Sequence, residues 1–163
     1  MESHVFLEPI LLTKWLVFML YMAFALIYIW NGKDFFRKKE WFVFFIKIAS
    51  VLIFSFILVF ILVGISKYLH LISREAAREL VVVIPVSFIT ILFAKFFVVM
   101  LNAIFSIVML FHKRFNTTEN YLRLSVLFNN YGPGLRFFTK CLASFGAAFI
   151  LYVTWLGNTL LVN

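Results

Sequence analysis

The stretch Leu80-VVVIPVSFITILFAKFFVVMLNAIFSIVML-Phe111 is apolar along almost its whole length and holds one ionised side chain, Lys95. An uncharged apolar run of more than about 18 residues reads as a transmembrane helix. With a rise of about 1.5 Å per residue, Lys95 lies roughly 21 Å from Val81 and roughly 24 Å from Phe111, at the centre of any span drawn through the run. A charge at that depth costs about 2.5 to 3.5 kcal/mol on insertion scales, so it is expected to face a bundle interior, a wet cavity or a partner. At 100° per residue, Asn102 and Ser106 fall about 20° to either side of Lys95, and Lys113 falls almost in line. These four residues form a polar seam, the candidate pore-lining or binding face. No carboxylate lies inside an apolar run, so the sequence offers Lys95 no ion-pair partner at depth.

Composition extends this reading to the whole chain. Hydrophobic residues make up 64% of the sequence and charged residues 13%, where a soluble domain has about 45 to 50% apolar residues. The net charge of +8 comes from basic residues between apolar runs, where the positive-inside bias and anionic headgroups account for them; nucleic acid is not the expected partner. The single cysteine, Cys141, rules out an internal disulfide and a cysteine metal cluster within one chain. His4, His70 and His112 lie at or beyond the span ends, and neither a zinc-protease spacing nor a phosphate loop occurs. No metal, no cofactor and no enzymatic activity are therefore expected.

Four apolar runs, about 10–30, 41–66, 81–111 and 138–162, predict an all-α polytopic membrane protein: one transmembrane domain over 1–163 with four transmembrane helices in an antiparallel bundle. Trp15 and Trp30 lie towards the ends of the first span, as interfacial anchors do. The first loop, 31–40, opens on Asn31-Gly32 and is short, so the first two helices are expected to be antiparallel neighbours. Ser73 is placed to cap the third helix, and Pro85 to kink it. In the third loop, 112–137, residues 116–119 predict a cap, 120–128 a short interfacial helix and 129–134, which includes Gly132-Pro133-Gly134, a turn.

Charges set the orientation. The first loop carries Lys33, Arg37, Lys38 and Lys39, and the third loop region Lys113, Arg114, Arg123, Arg136 and Lys140, against Lys14, Lys67, Arg74 and Arg78 on the other side. By the positive-inside rule the two richer loops face the cytoplasm and both termini lie outside it. Those nine basic residues are the expected contacts for the anionic headgroups of the bilayer or for a soluble cytoplasmic partner. Ala143, Ser144, Ala147 and Ala148 form a small-residue face for close helix packing. The 23 phenylalanines and so short a chain favour a homo-oligomer. Small bacterial inner-membrane proteins of the immunity, phage-exclusion and antiviral-defence type share this architecture. That analogy of fold class sets the expectation of a non-enzymatic membrane sensor or effector that alters permeability. The alternative is a channel or transporter subunit for a small anionic solute.

Overall fold

Local chemistry marks where each helix begins and stops. In the structure, a computed structural model that describes residues 3–70 and 72–157 (side chains from Leu11 onward), α1 spans Ser3–Asn31 and ends at the Asn31-Gly32 step. α2 spans Lys38–Gly64 and opens with the Glu40 carboxylate accepting from the Arg37 backbone N–H at 2.7 Å. That contact satisfies an orphan donor and sets a negative charge in the first turn, where the helix dipole favours it. α2 is continued by a π-helical turn, Ile65–Leu69, which stops at His70 in the left-handed region, φ 51°. α3, Arg74–Phe115, starts as expected on Ser73, whose Oγ accepts from the Ala76 N–H at 3.1 Å. α4 spans Thr118–Tyr152 and is followed by a second π-helical turn, Val153–Gly157.

Among the described residues the fold is all-helical, and all four helices are long and apolar enough to cross a membrane. Residues 158–162 of the fourth expected span lie outside the described residues.

Side-chain contacts fix the register. Lys14 pairs with Glu79 at 2.6 Å. Tyr21 stacks on Trp155, whose Nε1 donates to Ser87 Oγ at 2.9 Å inside the protein. The Ile29 carbonyl accepts from Lys95 Nζ at 3.1 Å. Residues 14–29 of α1 therefore lie beside 79–95 of α3 and run in the same direction. The Phe44–Phe96 and Phe54–Phe88 ring contacts show α2 running against α3.

The core lies between α1, α3 and α4, where Ala25, Ala94, Ala143 and Ala147 let the backbones approach. Ala143 and Ala147 of the small-residue face of α4 are thus packed within the chain. α2 is peripheral: it packs chiefly on α3, buries only Phe44 and Leu62, and turns Phe42, Phe45, Phe56 and Phe60 outward. Its link to α1 is the Lys47–Tyr28 contact, with Nζ 3.2 Å from the hydroxyl and over the ring. The short first loop does not make α1 and α2 the main neighbours, because the small residues that permit close approach lie on the other three helices.

α3 is 42 residues long, about 63 Å, and α4 with its terminal turn is 40 residues, about 60 Å. Only the parts facing α1 share its level. Residues 96–115 and 118–139 continue past the first loop as a two-helix hairpin closed at Asn116 and Thr117. The expected separate helix at 120–128 and turn at 129–134 are replaced by unbroken α4, with Pro133 inside it and Gly132 buried. Packing of the hairpin outweighs the low helix propensity of Gly-Pro-Gly. α3 likewise continues through Pro85.

Trp155→Phe keeps the ring against Tyr21 and removes the N–H that reaches Ser87. Thermal unfolding in detergent should show a loss of about 1 kcal/mol, the ordinary net value of such a bond, and an unchanged melting temperature would contradict the registration of α4 against α3.

Candidate functional site

A helix leaves its last carbonyls without donors, and its C-terminus carries about half a negative charge. At the end of α1 two lysines from other helices meet this need. Lys95 of α3 donates to the Ile29 carbonyl at 3.1 Å, and Lys140 of α4 to the Trp30 carbonyl at 3.4 Å. Asp34, three residues past the helix end, faces the same two ammonium groups: Oδ1 is 3.5 Å from Lys95 and Oδ2 2.9 Å from Lys140. Each carboxylate oxygen serves one lysine. The Lys95 side chain is 1% exposed, Lys140 14% and Asp34 23%. An ammonium that far from water is stable only when paired and hydrogen-bonded, and Asp34 with the α1 terminus supplies both.

Gly32 makes the approach possible. A Cβ at this position would stand 2.7 Å from the Tyr28 carbonyl oxygen and 2.8 Å from Lys95 Cε. Trp30 is held alongside: its indole N–H donates to Ser144 Oγ at 3.1 Å and its ring meets Phe137 edge-on. Lys95 is thus level with the end of α1, not midway along its neighbours, and its counter-ion comes from the loop. Asp34, Gly32 and the part played by Lys140 do not follow from the apolar runs, because the carboxylate lies outside all of them. The available signal was an Asn-Gly helix stop followed two residues later by a lone Asp.

A crevice of about 220 Å³ opens beside the clasp, with Lys33, Lys47, Lys95 and Glu40 in its lining. Through Tyr28 and Lys47 it adjoins a more apolar space of about 300 Å³ between α1 and α2, floored by α3.

The expected polar seam is divided. Lys95 and Asn102 are both buried on one side of α3, but Asn102 lies about 10 Å further along, inside the hairpin, and its Nδ2 has no hydrogen-bond partner. Ser106, half-buried, donates to the Asn102 backbone carbonyl at 3.0 Å. Lys113 is exposed near the hairpin tip. The basic residues divide in the same way. Lys33 pairs with Glu40, Arg37, Lys38 and Lys39 are exposed at the start of α2, and Arg136 covers the Phe35 ring. Arg114 and Arg123 stand at the hairpin tip with Lys113, Arg123 paired to Glu119 at 2.9 Å. Ala143 and Ala147 are buried in the core, while Ser144 and Ala148 are half-buried. Among the described residues no group of His, Cys, Asp or Glu is placed to hold a metal ion.

Comparison of the chain with protein-family models, with curated proteins and with solved structures finds no match.

The arrangement predicts an asymmetry between its members. Asp34→Asn leaves two neighbouring ammonium groups without their counter-ion and should cost on the order of 3 kcal/mol. Lys95→Met removes the buried charge, keeps most of the side-chain volume and leaves the Asp34–Lys140 pair intact, so it should cost about 1 kcal/mol or less. Chemical or thermal unfolding of the two variants in one detergent checks the order; equal losses would contradict it.

Proposed function

We propose that the protein is a non-catalytic, oligomeric inner-membrane sensor or effector, of the defence, exclusion or immunity type, that acts by changing membrane permeability. The observation that carries this reading is the clasp itself: one carboxylate in a basic loop is held by lysines from both long helices. A ligand that engages the loop and displaces Asp34 acts on α3 and α4 together, as a two-state switch requires. On this reading the helices cross the bilayer as an antiparallel bundle with both termini outside the cytoplasm. The first loop and the α3–α4 hairpin then face inward, where Arg37, Lys38 and Lys39 meet anionic headgroups or a soluble protein partner.

Assembly has a surface to use. Between α3 and α4 lies an outward-facing apolar groove of about 530 Å³, floored by Ala143, Gly146 and Ala147 and walled by Phe93, Phe97 and Phe145. Small residues below large ones suit a helix ridge from a second copy. A Cβ at Gly146 would meet no atom within 4 Å, so Gly146→Leu starts into open groove and takes the space a second helix would fill. Native mass measurement in detergent should then show the oligomer of the parent chain reduced to monomer.

A second reading, a channel or transporter subunit for a small anion, is favoured by the three lysines lining the crevice beside Asp34. One experiment separates the two. In phosphatidylglycerol liposomes, Asp34→Asn should raise release of an encapsulated dye several-fold over the parent chain. Saturable chloride or iodide flux without dye release would select the second reading. Neither dye release nor anion flux from parent and variant alike would refute both.

A further inference from the structure

At the end of the molecule opposite Asp34, the π-helical turn Ile65–Leu69 carries Ser66 inward. The residue is 7% exposed, and its Oγ has no hydrogen-bond partner. Buried hydroxyls are nearly always partnered, so an orphan one asks what meets it, and single π-turns in helices are frequent at functional sites. Ser66 lines a cavity of about 560 Å³ between α2 with its terminal turn and the start of α3. Val63 and Val81 are among the apolar residues of its wall, and Lys67, Arg74 and Arg78 complete the lining. These three cations have no ion pair among the described residues. The nearby Glu79 is already held by Lys14, and Glu75 faces a different cavity, between α1 and α3.

Three cations without a carboxylate partner, of which Lys67 lies over the Tyr68 ring at 5.5 Å, and a buried hydroxyl donor around one space match the oxygens of a phosphate, which arginine binds through paired N–H groups. The rest of the cavity wall is apolar and lies between two helices that are long and apolar enough to cross a membrane. A free phosphate would leave that part unfilled, whereas a glycerophosphate with an acyl chain fills both. The geometry points to a seat for an anionic glycerophospholipid: the phosphate lies between Lys67, Arg74 and Arg78 with Ser66 Oγ donating to it, and the chain runs down along Val63 and Val81. This seat is separate from the loop-one surface, and its existence does not depend on how the protein acts on permeability.

The test uses the full chain in a zwitterionic detergent, with dioleoylphosphatidylglycerol or dioleoylphosphatidylcholine titrated in and retained lipid counted by native mass spectrometry. One phosphatidylglycerol per chain should be retained well above phosphatidylcholine. The pair Arg74→Gln and Arg78→Gln should weaken retention about tenfold or more, the loss expected for at least one charge-assisted bond, and Ser66→Ala should weaken it several-fold. Val63→Trp fills the apolar wall without touching a charge and should weaken it as much as the arginine pair, which keeps the test decisive if that pair fails to fold. Equal retention of the two lipids would overturn the proposal, as would full retention by Val63→Trp. Displacement of the phosphatidylglycerol by millimolar inorganic phosphate, with Val63→Trp silent, would mark a free-phosphate site and overturn it too.

Discussion

A carboxylate set between two ammonium groups at the end of a helix is the contact on which the arrangement of this protein turns. Asp34 cannot leave without exposing Lys95 and Lys140 to each other, and Lys95, at 1% exposure, depends on that pairing for its charge. Because the lysines come from α3 and α4, the contact sets the level of both helices against α1. The Lys14–Glu79 pair fixes the level of α3 against α1 a second time, nearer the start of α1. Between these two charged levels the packing is apolar apart from a few bonds, among which Trp155 to Ser87 and Lys47 to Tyr28 cross between helices. With the levels fixed, the surplus length of α3 and α4 has one place to go, the hairpin beyond the first loop.

This placement changes what the buried lysine means. A lysine halfway along an apolar run invites a pathway through the membrane. A lysine that caps the last turn of a neighbouring helix and shares a loop aspartate is first a structural device, and the functional question moves to the loop. The link between loop and helices is short and electrostatic, and Arg37, Lys38 and Lys39 stand exposed at the end of the same loop. The lipid seat around Ser66 lies at the other end of α3, and the two sites share that helix.

Much of this was legible in the residues. Four apolar runs gave four helices, Ser73 gave the start of α3, and the angular coincidence of Lys95 and Asn102 gave their shared burial. These features depend on neighbours within one helix. What failed depended on contacts between helices. Gly132-Pro133-Gly134 reads as a turn by propensity, yet buried Gly132 sits in a packed hairpin that holds α4 straight through it. Asp34 read as one charge in a basic loop, because nothing in its own segment shows that α3 and α4 bring lysines to it. The small residues of α4 announced close packing, and only the structure assigned Ala143 and Ala147 to the interior of the same chain.

The most direct measurement is zero-length cross-linking. A water-soluble carbodiimide activates Asp34 and joins it to an amine already in contact, so digestion and mass spectrometry should recover an isopeptide between the Asp34 and Lys140 peptides from the single-chain band. Recovery of Asp34 only as an adduct of an added small amine, with Lys140 unlinked, would contradict the clasp and the account built on it.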